Sequence, residues 1–478
     1  MSADSSVTAA RTVPLTRFEE KVGHPPGLFF LFFTEMWERF SYYGMRGLLV
    51  LYMVNYLFVE TRQARQGSEE MIPGDPGQVI GLETIRSVLE SIFGHLEIQP
   101  LASQLYGLYT GLVYLTPVLG GYIADRYLGQ RKTVFVGGIL MAIGHFLMAS
   151  EAMFFFALLF LIFGNGFFKP NISTQVGGLY PEGDHRRDRA FSIFYVGINL
   201  GAFLSNLVCG TLAAVYGWHW GFGAAGVGMM AGLVIYTLGQ RHLAADNVMQ
   251  KKAEHRDVTE DKLTPEEWRR VIALCALCGL NIVFWAVYEQ QGNTMQLWAD
   301  EQTIWPTIFG FTIPSTWFQS FNPFVIMLGT PLLLAFWKWQ ERRGKEPSSV
   351  AKMAIGSIIL GLSFLIMVWG AHVVGDGKGS MFWPLACTLM LTVGELYLSP
   401  VGLSLVTKVA PIRIVSLMMG VWFLSSFLGN YLSGLIGSLY GVLPRDGFFM
   451  LLTVLGVGTG LAMWAFNKPL KKALGHEV

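Results

Sequence analysis

Seven ionisable side chains interrupt otherwise apolar stretches of this sequence. Glu35, Glu38, Arg39 and Arg46 lie within "FFTEMWERFSYYGMRG", residues 32 to 47. Lys169 lies in "GNGFFKPN", Glu289 in "FWAVYEQQG" and Glu395 in "TVGELYLSPVGLS". If the first of these stretches is a helix turning 100° per residue, Glu38, Arg39, Tyr42, Tyr43 and Arg46 fall within roughly 80° of Glu35. One face is then polar, and Phe33, Trp37 and Leu48 cover much of the remainder. Three cations and four acids facing a shared cavity have two uses: they hold a ligand with an anionic and a cationic end, and they exchange protons as partners separate. A carboxylate beside an arginine stays ionised, whereas one that loses its partner in a dry site is pushed toward protonation.

The elements that position these groups follow from composition. Of 478 residues, 52% are hydrophobic and 14% charged, against about a quarter charged in an average soluble domain. A helix needs about 20 mostly apolar residues to cross a bilayer, because lipid offers the backbone no hydrogen-bond partner. Such runs occur near residues 28 to 58, 102 to 124, 131 to 150, 152 to 179, 189 to 214, 218 to 240, 269 to 291, 321 to 341, 350 to 371, 381 to 409, 414 to 440 and 446 to 467. The expected class is an all-α membrane protein with twelve spans. Within it, an ionised group at mid-membrane costs about 2.5 to 3.5 kcal/mol. Uncompensated, the seven would cost on the order of 20 kcal/mol, which marks them as functional rather than as a set of structural ion pairs.

The first 27 residues are polar, carry Pro25 and Pro26, and lack the apolar core of a cleavable signal, so the first span is expected to direct insertion. Lys and Arg concentrate in cytoplasmic loops. With the amino terminus inside, cytoplasmic segments hold 26 of the 34 basic residues and external loops hold 5. Both termini are therefore expected in the cytoplasm. The charged segment 241 to 268 divides the spans into six and six, giving a tail 1 to 27, bundles 28 to 240 and 269 to 467, and a closing tail 468 to 478. Thr264, Pro265 and Glu267 read as a helix start in that linker. In the long external loop 59 to 101, Leu82, Ile85, Leu89 and Ile92 recur at helical spacing and predict a short amphipathic helix on the outer surface. Pro170, Pro323 and Pro400 lie beside Lys169, Asn322 and Glu395 and predict bends near the site.

Other chemistries find little support. The net charge of +1 gives nucleic acid no basic face. Cys275 and Cys278 form a CxxC, but both lie in an apolar span with no second ligand pair, so neither a metal nor a redox role is expected. No Ser/His/Asp arrangement converges, and His145 is a lone histidine in the third span. The sequence predicts no enzyme and no cofactor.

"TEMWERFSYYGMRG" resembles the ExxER signature of the proton-coupled oligopeptide transporters, a family of the major facilitator superfamily. "GGYIADRYLGQRKT", "GNGFFKPNISTQVG", "FSIFYVGINLGAF", "FWAVYEQQG", "WFQSFNPFVIMLGTP", "GELYLSPVGLS" and "MMGVWFLSSFLGN" are similar to its other signatures, in order. The resemblance covers about residues 24 to 465 and implies a monomeric symporter in a bacterial inner membrane that takes up di- and tripeptides with protons. It implies proton coupling by Glu35, Glu38, Arg39, Lys169 and Glu289, with Lys169 as partner of the first-span acids and Glu289 pairing with Arg46. It implies that Arg46 and Lys169 attract the peptide carboxylate, and that Glu395, Asn199 and Asn322 hold the amino end. Tyr42, Tyr43, Tyr109, Trp285, Trp422 and Ser426 would line the side-chain pockets. Many bacterial members carry two extra spans between the halves. Residues 241 to 268 are too short and too charged to hold them, so twelve spans are expected here.

Overall fold

The computed structural model describes residues 17–59, 78–181, 184, 186–244, 263–411 and 414–474. Twelve long helices carry the fold among them: α1 (Pro26–Tyr52), α2 (Ile98–Ile123), α3 (Gln130–Leu147), α4 (Phe154–Gly178), α5 (Arg186–Tyr216), α6 (Trp218–Gly239), α7 (Pro265–Tyr288), α8 (Phe318–Glu341), α9 (Ser349–Val374), α10 (Phe382–Val409), α11 (Val415–Gly437) and α12 (Arg445–Leu474). Each coincides with one of the twelve expected spans. Among the described residues, nine helical stretches, those built on α4 to α12, are long and apolar enough to cross a bilayer by length and composition alone. α1 falls short because its buried charges lower its hydropathy, and α3 because it is short and opens with Arg131 and Lys132. α2 is diluted by tyrosine, glycine and Pro117. These three pack against neighbours that belong in the membrane, so tertiary burial compensates for weaker hydropathy.

Helix starts follow local chemistry. Thr264 caps α7: its hydroxyl accepts from the Glu267 N–H at 3.2 Å, and the Glu267 carboxylate accepts from the Thr264 N–H at 2.9 Å. This is a reciprocal capping box with Pro265 in the first turn, where its missing N–H costs nothing. The helix expected to begin at Thr264 is thus α7 itself. Residues 245 to 262 of the linker and 60 to 77 of the long loop lie outside the described residues. Gly217, at φ +103°, makes the sharp turn from α5 into α6, a conformation that costs glycine little.

α1 packs on α5 and α6, α3 on α4 and α6, and α2 on α4. Likewise α7 packs on α11 and α12, and α9 on α10 and α12. Between these two groups the main packed pairs are α2 with α11 and α5 with α8. In helix order α2 and α8 hold equivalent places in the two groups, as do α5 and α11, so the two interfaces pair equivalent helices.

The expected loop helix is present as Leu82–Phe93. Leu82 is buried and Ile85 and Leu89 pack on the core, while Ile92 is exposed. The Ile80 N–H donates to the Ala152 carbonyl at 3.2 Å, which ties this segment to the start of α4. Pro170, Pro323 and Pro400 each stay inside one continuous helix. Not foreseen were the helix Thr294–Glu301, which prolongs α7, and two small strand pairs in the loops that follow.

Candidate functional site

A cavity of about 410 Å³ lies between the two groups of helices. α1, α2, α4 and α5 line one side and α7, α8, α10 and α11 the other, while α3, α6, α9 and α12 contribute nothing. Four of the seven singled-out ionic groups reach it: Arg46, Lys169, Glu289 and Glu395. Tyr43, Asn199, Trp285, Asn322, Trp422 and Ser426 also line it. The cations Arg46 and Lys169 belong to one group of helices, and Glu395 belongs to the other.

Glu395 is held from two helices. The Tyr288 hydroxyl donates to its Oε2 at 2.5 Å, and Asn322 Nδ2 donates to the same oxygen at 3.3 Å and to Thr392 Oγ1 at 2.9 Å. Asn199 instead donates back along its own helix to the Tyr195 carbonyl at 3.0 Å. Trp285 and Tyr288 meet edge to face at 5.4 Å and form part of the aromatic wall.

Arg46 and Glu289 form a buried ion pair between α1 and the turn after α7, and the Arg46 Nε–H donates to the Tyr106 hydroxyl at 2.8 Å. Beyond this pair, toward the end opposite the chain termini, the two groups are stitched shut. Ser103 donates to Asn293 Oδ1 at 2.9 Å, Gln99 to the Gly437 carbonyl at 3.0 Å, and Asn55 to Asp300 at 2.9 Å. On the α5–α8 side, Ser320 donates to the Phe203 carbonyl at 2.7 Å and Trp317 to Thr211 at 2.9 Å.

Convergence of all seven charges on one chamber is corrected by the structure. Glu35, Glu38 and Arg39 lie outside the lining, packed as a buried cluster. The Arg39 Nε sits 2.9 Å from a Glu35 oxygen and 2.5 Å from a Glu38 oxygen, and Asn165 of α4 donates to Glu38 at 3.1 Å. The reason is packing: α4 covers this stretch of α1, so its polar face meets a helix instead of open space. The expected Lys169 pairing also differs. No ion pair joins Lys169 to a carboxylate among the described residues; its ammonium lies 4.6 Å from the centre of the Tyr114 ring. Lys169 is nevertheless one helical turn beyond Asn165, which places it next to the cluster. Tyr42 and Tyr109 are buried but do not line the cavity. Arg39 lies 5.5 Å from the Tyr42 ring centre.

Sequence reading missed Tyr106, Tyr114, Tyr195, Tyr288, Gln291 and Gln319, which face or brace the cavity. Tyr288 adjoins Glu289 in the quoted motif, a usable signal. For the α2 tyrosines, at spacings of three and five residues, only the helix's rotation decides which ones point inward.

A family model described as the POT family matches residues 131–259 and 243–450. The chain belongs to the POT family. It is 32% identical to the di-/tripeptide transporter of Lactococcus lactis subsp. cremoris, over 95% of this chain and 97% of that one. Its identity to the peptide transporter YePEPT of Yersinia enterocolitica is 33%, with 90% of each chain covered. Among solved structures, a mutant form of a peptide transporter POT in complex with alafosfalin aligns with a TM-score of 0.78 and 32% identity, covering 95% of this chain and 96% of that one. This family and these relatives are transporters rather than enzymes, and the POT-type chain described here is an integral, all-α membrane protein of the major facilitator type.

Proposed function

We propose that this chain is a symporter importing di- and tripeptides together with protons across a bacterial cytoplasmic membrane by alternating access. The observation that carries the reading is the polarity of the cavity: Arg46 and Lys169 on one helix group, Glu395 on the other. A zwitterionic peptide that places its carboxylate at the cations and its ammonium at Glu395 links the two groups through charge-assisted hydrogen bonds. The volume falls within the range of about 300 to 1,000 Å³ usual for small-ligand sites. The names of the relatives support the same substrate class.

Residues 28 to 240 and 269 to 467 are the two bodies that rock about the site, and the end sealed by Arg46 and Glu289 is the outer one. The excess of basic residues at the opposite end supports that sidedness. Glu35, Glu38, Arg39, Lys169 and Glu289 carry the proton coupling. Protonation of an acid frees its basic partner, and the rearranged pairs favour the other conformation. Each proton brings about 2.3 kcal/mol per 100 mV of membrane potential. A monomer contains every residue the cycle needs.

The test is uptake of a labelled dipeptide into proteoliposomes under an imposed proton gradient. Accumulation above equilibrium that a protonophore collapses is expected; equilibration without accumulation, with or without the gradient, overturns coupling. Competition by nitrate at the concentration at which peptides compete overturns the substrate class, because Glu395 repels a small anion.

A further inference from the structure

A second cavity, of about 810 Å³, opens on the outer flank of the α1 to α6 group, away from the α7 to α12 helices. Its lining is almost wholly apolar, drawn from α1, α3, α5 and α6. Along α5 it runs from Gly201 to Leu212, about 16 Å at 1.5 Å per residue. That is about half the ~30 Å hydrocarbon thickness of a bilayer. The rim residues Leu204, Val208 and Val227 are exposed, as they are at a lipid-facing surface. Its mouth lies at the α5–α6 turn. Trp220 is exposed there, and His219 stands 3.2 Å from the Met148 carbonyl and 4.0 Å from Glu151. Tryptophan beside polar groups is the composition of a membrane–water boundary.

The floor is what makes the groove specific. Met36, Trp37 and Phe40 form it, on the reverse of the α1 turn that carries Glu35, Glu38 and Arg39. α5 is pressed so closely on α1 that a Cβ on Gly201 would lie 2.1 Å from the Met36 carbonyl oxygen. By contrast, a Cβ on Gly223 of α6 would meet nothing within 4 Å, because Gly223 faces the groove.

We propose that this groove binds one acyl chain of a membrane phospholipid from the leaflet at the sealed end, and that the bound chain supports the α1 turn from behind. The occupant follows from the setting: a concave, nearly uncharged slot one leaflet deep, in a membrane-spanning helix group, with its polar mouth at the boundary. Inside the bilayer the chain is already out of water, so what holds it in the slot is van der Waals contact with the walls. The regulatory consequence rests on the reading of α1 as the coupling helix, whereas the binding site does not.

The site is tested with the full chain in phosphatidylcholine vesicles containing a phospholipid with a photoreactive diazirine on its acyl chain, followed by mapping of labelled peptides. Labelling of the Met36–Phe40 and Trp220–Val227 segments should exceed that of α12 by about tenfold, a difference of roughly 1.4 kcal/mol in local occupancy. Gly223→Leu, whose Cβ would enter the slot with nothing within 4 Å, should remove that excess. Gly458→Leu, also at a glycine with open space around it, should leave it intact. Even labelling along all helices, an excess that survives Gly223→Leu, or cross-links to a second chain in place of lipid overturns the site. So does labelling by a diazirine fatty acid with none by the phospholipid. Peptide uptake by Gly223→Leu should fall about threefold, a change of roughly 0.65 kcal/mol. Unchanged uptake with the excess lost overturns the regulatory step alone.

Discussion

Gly107 of α2 and Gly434 of α11 touch backbone to backbone: a Cβ built on Gly107 would stand 2.6 Å from the Gly434 Cα, and one on Gly434 would stand 2.6 Å from the Ser103 carbonyl oxygen. This crossing belongs to the seal that closes one end of the central cavity. Neither glycine can carry a side chain while the seal is shut, because backbone atoms cannot rotate away as a flexible side chain would.

Gly434→Leu should therefore hold the seal open. Peptide uptake is expected to fall at least about tenfold, since the added clash exceeds the roughly 1.4 kcal/mol that a factor of ten represents. A cysteine placed at Ser103 should react faster with a membrane-impermeant thiol reagent in this background. An unchanged reaction rate would show that the seal closes around the new side chain.

The Arg46–Glu289 pair spans the same seam. Removing one partner of a buried ion pair costs about 3 to 5 kcal/mol, because the other charge stays buried and uncompensated. Glu289→Gln is expected to destabilise the sealed state and raise the same thiol reactivity. Exchanging the charges in Arg46→Glu, Glu289→Arg should lower the reactivity again, whereas a double variant as reactive as the single one would mean the pair does not hold the gate.

Glu38 accepts from Asn165 and pairs with Arg39. Glu38→Gln keeps shape and hydrogen bonding but cannot ionise, so proton-driven accumulation should disappear while exchange of labelled for unlabelled peptide persists. Driven uptake equal to the parent's would remove Glu38 from the coupling path.

Glu395 faces the cavity from α10 with Tyr288 and Asn322 as donors. Glu395→Ala should weaken competition by peptides with a free amino terminus about tenfold, the scale of one charge-assisted hydrogen bond. Amino-blocked peptides should compete as they do with the parent, and equal losses for both would place the amino terminus elsewhere.

Thr264 and Glu267 cap α7 at a water-exposed helix start. Thr264→Ala should cost about 1 kcal/mol, visible as a lower melting temperature in detergent with transport retained. No change in melting would show that packing along α7 alone sets its start.

The twelve helices, the helix start at Thr264 and the amphipathic Leu82–Phe93 were legible in the order of residues, because hydropathy, capping and periodicity are local properties. On α5, α8, α10 and α11, Glu395 was legible as an acid interrupting an apolar run, and Asn199, Asn322, Trp422 and Ser426 through the resemblance to the family's signatures, but Tyr195 and Gln319 on the same helices were not. The helical angles also put Glu35, Glu38, Arg39 and Arg46 on one face, but they could not say what each part of that face meets. Tertiary packing divided it: α4 covers the Glu35–Arg39 end, and the space between the helix groups opens at Arg46. The same step chose Tyr106 and Tyr114 over Tyr109, and left Lys169 over the Tyr114 ring rather than on a carboxylate. Which groups share a cavity depends on how whole helices rotate and cross, and that is settled by contacts between segments hundreds of residues apart.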